Sequence, residues 1–160
     1  MKFLTAVALV MLWVPVDGVA QRNPLTGLST MGQQVSVQWN ALVTRVSEES
    51  FTQEAERALE LGLLRSGIPL SGTDFGADGQ YLECDGHIFS HPDDNGRIVS
   101  HTYQAKYWER VRPIVGGGSQ YAITWSRSGL ASLGVNNLSG TDLGEWCAET
   151  FELEWRRANN

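Results

Sequence analysis

The side chains best equipped for chemistry fall between positions 81 and 112. His87 and His91 stand four residues apart, with Asp93 and Asp94 just beyond. On a helix that spacing suits zinc. On a strand, four residues span about 13 Å, too far for two nitrogens that must each lie about 2.0–2.1 Å from one metal. These histidines read as surface and hairpin residues, and no metal is expected. Glu83 and Asp85 share one strand face with His87. General acid–base work needs such groups in a cleft with shifted pKa values. A strand face opposite Lys106 reads more simply as a salt-bridged, solvated surface, and a small secreted hydrolase using this carboxylate/His group is the alternative function. The serines near Gly129 and Gly134 lack the glycine spacing of a nucleophile elbow. Gly116-Gly117-Gly118 lacks the lysine of a phosphate loop and sits between strands, so it reads as a turn. No cofactor is expected.

One surface remains. Gln104, Lys106, Trp108, Arg110 and Arg112 alternate along one strand, and Tyr81, Glu83, Asp85 and His87 line its neighbour. Such a face suits an anionic or sugar-like ligand through stacking and charge-assisted hydrogen bonds. It suits a protein partner equally, because Trp, Tyr and Arg dominate interface hot spots. The plain alternative is that long cationic side chains lie over a solvated sheet. The candidate ligand or partner residues are Tyr81, His87, Lys106, Trp108, Arg110 and Arg112.

The elements that must position this face follow from periodicity. Val35, Val37, Trp39, Ala41 and Val43 alternate with Ser36, Gln38, Asn40, Leu42 and Thr44, which reads as a half-buried strand. Ser50 with Gln53 three residues later is a capping-box signature. Phe51, Ala55, Ala58, Leu59, Gly62 and Leu63 then make an apolar helical stripe that Gly67 and Pro69 end. Strands are expected over Gln80 to Ser90 and Arg97 to Pro113, with Asn95-Gly96 as a two-residue turn. That turn sets Cys84 opposite Tyr107, Gly86 opposite Ala105 and Ile88 opposite Tyr103 on the buried face. Asp85 then meets Lys106, His87 meets Gln104 and Tyr81 meets Arg110 on the other. Leu82 opposite Glu109 fits poorly, which implies a bulge or drift. A further strand is expected over Gln120 to Arg127, with Tyr121, Ile123 and Trp125 on one face. Ser128 to Gly140 then reads as a long loop, and a last helix capped by Ser139 or Thr141 carries Leu143, Trp146, Cys147, Phe151 and Trp155 near one side.

The order β-α-β-β-β-α predicts an α+β fold, a mainly antiparallel four-stranded sheet with two helices packed on one face. The first helix crosses over between strands one and two, and Cys147 can reach Cys84 to form a disulfide between them.

The N-terminus bears on where these thiols find themselves. Lys2 precedes an apolar run, Phe3 to Val14, that is shorter than the roughly 20 residues of a bilayer span. Pro15 breaks it, and Gly18-Val19-Ala20 offers small residues before a cut. Residues 1–20 are therefore expected to be a cleavable signal peptide, 21–32 a flexible lead-in and 33–160 one small domain. The mature chain is expected in a secreted or periplasmic compartment after cleavage near Ala20, with no transmembrane segment. Losing Lys2 and Asp17 leaves the net charge at −6, which argues against nucleic-acid binding. Two cysteines exported to an oxidising compartment are expected to pair. Together these readings describe an exported, non-enzymatic binding or structural module that contacts a protein or envelope component.

Overall fold

The computed structural model describes residues 25–28, 30–41, 46–71, 79–90, 98–112, 118–134 and 137–160, with the backbone alone for 131–134. The expected signal peptide, the turn at Asn95-Gly96 and His91 lie outside the described residues. Six elements follow in the order expected: β1 (Gly32–Asn40), α1 (Glu48–Arg65), β2 (Tyr81–Ser90), β3 (Ile98–Val111), β4 (Gln120–Gly134) and α2 (Gly140–Asn159). They form one four-stranded sheet in the order β1-β2-β3-β4. The β1–β2 pair is parallel, as a strand–helix–strand crossover requires, and the other two pairs are antiparallel. The chain is thus an α+β fold.

Period-two alternation divides the sheet. Leu82, Cys84, Ile88, Tyr103, Ala105 and Tyr107 turn inward and are buried, together with Phe51, Leu59, Leu63, Leu143 and Phe151 from the helices. Both helices lie on this inner face. A side chain at Gly86 would meet Leu143, and one at Gly129 would press on the Trp146 ring.

The cap of α1 lies three residues before the expected one. The side chain of Ser47, not Ser50, accepts the Ser50 N–H, and Glu48 and Glu49 occupy the first turn, where the helix dipole favours negative charge. Gly67 follows the helix with φ +74°, as its place after the apolar stripe implied. Ser139 caps α2 by accepting the Thr141 N–H.

The two helices run parallel in very close contact. An added Cβ at Gly140 would lie 1.9 Å from the Phe51 carbonyl oxygen, one at Gly144 2.3 Å from that of Ala55, and one at Gly62 2.5 Å from the Ala148 Cβ. Polar groups fasten both ends of this seam. Glu54 accepts from the Gly140 N–H at 3.2 Å, and the Ser66 hydroxyl donates to Glu152 at 2.5 Å.

The β2–β3 register differs from expectation by two residues. Cys84 lies opposite Ala105, Leu82 opposite Tyr107, and Tyr81 opposite Trp108. A two-residue shift leaves every side chain on its expected face. It also gives Leu82 an apolar partner in place of Glu109, the poor match in the turn-based register. The fourth strand departs further. It runs on to Gly134 through the stretch expected to be a loop, because β3 extends to Ile98 and supplies a backbone partner for each added residue. Small residues are tolerated there by tertiary context, which overrides weak strand propensity. A register shift between Tyr107 and Trp108 leaves Thr124 as an extra residue. This bulge splits the expected triplet: Trp125 faces Tyr107 and Phe151 inside, whereas Tyr121 and Ile123 face out.

Cys84 and Cys147 are both buried and joined as a disulfide, with Cα atoms 6.0 Å apart, which fastens α2 to β2. Two outcomes follow for stability. Reduction and alkylation should add the mass of two blocked thiols only after reductant, and should lower the unfolding free energy by about 4 kcal/mol in the chain-entropy picture of a loop of this length. Gly144→Ala should cost about 1–3 kcal/mol by overpacking the helix seam, read as a lower urea midpoint at unchanged m-value. A midpoint equal to that of the parent protein would contradict the close contact.

Candidate partner-binding face

The sheet face turned away from the helices is built mainly by β2 and β3. Odd positions of β2 and even positions of β3 point outward, so Glu83 stands opposite Lys106, Asp85 opposite Gln104 and His87 opposite Thr102. The Lys106 ammonium touches the Asp85 carboxylate directly and lies 3.6 Å from Glu83, with about a fifth of each side chain exposed. Burial alone would lower the Lys106 pKa. The hydrogen bond to Asp85, its charge and that of Glu83 outweigh burial and raise it. Glu83 also accepts the Trp108 indole N–H at 2.8 Å. The two carboxylates are therefore committed to holding Lys106 and Trp108 in place, the geometry of a positioned ion-paired surface.

Trp108 stacks on Tyr81, with ring centroids 5.7 Å apart and planes within 5°. Burial, then the Glu83 charge, raises the Tyr81 hydroxyl pKa, so the ring keeps its proton. Tyr121 leans across β3 from β4 and meets Tyr81 edge-on at 6.3 Å. It reaches that far because Gly79, at φ +73°, has no side chain: a Cβ there would lie 2.7 Å from the Tyr121 hydroxyl. Ile123 lies next along the strand, opposite Trp108. Arg110 continues the outer row of β3 and donates from Nε to the Ser119 hydroxyl at 2.6 Å. Arg112 is exposed just past the strand end. Toward the other end, exposed His87 borders a shallow depression of about 170 Å³ shared with Ser36, Gln38, Asp85, Gln104 and Lys106.

The structure thus gathers Tyr81, Lys106 and Trp108, extends them toward Arg110 and Arg112, and sets His87 apart. It revises the expected stripe in one respect. Lys106 is neutralised by two acids, so the middle of the face is an ion-paired network, and among the described residues the cations of this face without an acidic partner lie at its arginine end. Tyr121 and Ile123 belong to the face although their spacing with Trp125 placed all three together. The alternation was visible in the sequence, but the bulge that reverses it was not. Glu83 and Asp85 belong as braces. Among the described residues, no three His, Cys, Asp or Glu side chains converge to hold a metal ion.

The domain is defined as an α+β sandwich of two helices under an open sheet with an organised aromatic face. No protein-family model matches the chain, and no curated protein matches it. Among solved structures, it is similar to an uncharacterised protein at 13% identity, covering 85% of this chain and 92% of that one, with a TM-score of 0.38. It is also similar to a PelC variant dodecamer from Paraburkholderia phytofirmans at 14% identity, covering 81% and 92%, with a TM-score of 0.38. Likeness at this level assigns neither a family nor an activity.

Beneath the face, His101 is buried on the inner side, stacked on Tyr103 at 4.2 Å, and its Nδ1 has no hydrogen-bond partner among the described residues. Burial lowers its pKa, and the Asp142 charge opposes this only in part. The folded chain therefore takes up this proton at lower pH than the unfolded chain, which does so near the ordinary value of about 6.5. Because the unfolded state binds more protons as pH falls, the His101 contribution should be fully present above about pH 6.5 and lost progressively below it. Urea unfolding at a series of pH values should show that His101→Gln flattens this acid-side loss. An unchanged slope in the variant would remove His101 as its source.

Proposed function

We propose that this chain is an exported, non-enzymatic binding or structural module that engages a protein or cell-envelope component through its outer sheet face. One observation carries the proposal. Tyr121 and Ile123 are 48% and 46% exposed beside the stacked Tyr81–Trp108 pair, on the sheet face opposite the helices. Contiguous apolar groups with aromatic and arginine members are the usual content of interaction surfaces. Arg110 and Arg112 fringe them, so a matching partner presents an apolar patch bordered by acidic groups. The ion-paired arrangement of Glu83, Asp85 and Lys106 supports binding over general acid–base chemistry. The bonded cysteine pair and the apolar N-terminal run support export, and no described helix is long and apolar enough to cross a membrane.

Trp108 is a poor probe of this face, since its ring and N–H also brace the sheet. The exposed pair is better. Tyr121→Ser with Ile123→Ser should weaken retention of envelope proteins from the native host by roughly thirty-fold or more, which is the loss of one hot spot of about 2 kcal/mol. The melting temperature should move little. Equal retention of the parent and the double variant on the same extract would sink the proposal.

A further inference from the structure

β4 ends the sheet, and its outer edge has no strand beside it among the described residues. It is 15 residues long, the longest strand of the four. Edge strands of that length are normally protected by proline, by lysine, by inward charge or by a bulge. From Trp125 to Gly134 this strand contains no proline, no lysine and no acid, and its one charged residue, Arg127, is already paired with Glu154 at 3.3 Å. Its single bulge lies before this stretch, at Thr124. Leu130 projects from the middle of the stretch with 74% of its surface exposed, the most of any large apolar residue described. The helix layer above the edge matches it. Trp146 covers Gly129 of β4, and Leu153, seven residues along the same stripe of α2, is 52% exposed.

We infer that this edge pairs with the same edge of a second copy, antiparallel about a two-fold axis at Leu130, to give one continuous eight-stranded sheet. Backbone N–H and C=O groups along an edge recognise only another extended strand, and an isologous contact requires a surface complementary to itself. β4 meets that requirement. With the axis at Leu130, the two Leu130 side chains meet on the outer face, and Arg127 falls opposite position 133 of the second copy rather than opposite its own mate. The edge is nearly free of charge in a chain of net charge −6, so the contact forms where repulsion between copies is least. The exposed α2 stripe of each copy comes to lie near that of the other, adding a second apolar layer. This surface is separate from the aromatic end of the outer face, and it holds whether or not that end binds a partner.

Sedimentation of the oxidised protein across a concentration series tests the pairing. The parent should sediment as a dimer, and Leu130→Lys, which sets two like charges face to face on the axis, should halve the sedimenting mass at the same concentration while leaving the far-UV circular dichroism of the fold intact. Leu130→Cys provides a measurement that does not depend on that variant folding. The native cysteines are bonded to each other, so the new thiol is the one free thiol. A short bis-maleimide should link it to its mate in the dimer, whereas Ser36→Cys, on β1 at the opposite side of the sheet, should not be linked. A parent that stays monomeric throughout, a dimer that survives Leu130→Lys, or an absence of linkage at position 130 would each overturn the inference.

Discussion

Gly140 and Gly144 let the backbone of α2 rest against that of α1, and most of the remaining architecture follows from that contact. Neither position has room for a Cβ, so the axes approach more closely than ordinary side chains allow. Two helices so tightly joined act as one layer. That layer covers one face of a four-stranded sheet, and the disulfide from Cys147 to Cys84 fixes where along the sheet it sits. The consequence is asymmetry. The inner face carries the core, and among the described residues the outer face is organised through cross-strand pairs, hydrogen bonds and ion pairs.

That self-organisation explains the character of the outer face. On a sheet surface that no described element covers, large rings remain ordered only if something holds them. Trp108 is held by Tyr81 on one side and by Glu83 on its N–H, and Glu83 is in turn held by Lys106, which Asp85 shares. Exposed ion pairs contribute little stability individually. Here the half-buried network matters through geometry, because it orients an aromatic pair beside which Tyr121 and Ile123 stand with about half of their surface in water.

Much of this was legible in the chain. Alternation assigned the faces of β2 and β3 correctly, and apolar spacing found α1 and the buried side of α2 that carries Cys147. The turn-based register was off by two residues, yet every face survived, because side-chain direction depends only on parity. A mismatch already visible in the sequence, Leu82 against Glu109, marked the place where the register had to move. The start of α1 was misplaced because Ser47 and Ser50 both offer an oxygen, and only the backbone at Ser47 is extended as a cap requires. The length of β4 was missed for a different reason. Ser128, Gly129 and Ser132 carry little strand propensity of their own, and the partner strand supplies the order.

The bulge at Thr124 is the feature least available to pattern reading, and it gives β4 two different characters. Before it, Tyr121 and Ile123 face outward and complete the aromatic end of the face. After it, Trp125 turns inward against Phe151, the strand runs unbroken to Gly134, and Leu130 is the outward side chain. Without the extra residue, one end of the strand would lose its fit: either Trp125 would leave the core or Tyr121 would turn toward the helices. A single inserted residue thus lets one strand contribute both to the core and to the outer face. It costs one position of pairing in a ladder that otherwise runs from Ile98 to Val111, so what it contributes is the placement of these side chains and not sheet stability.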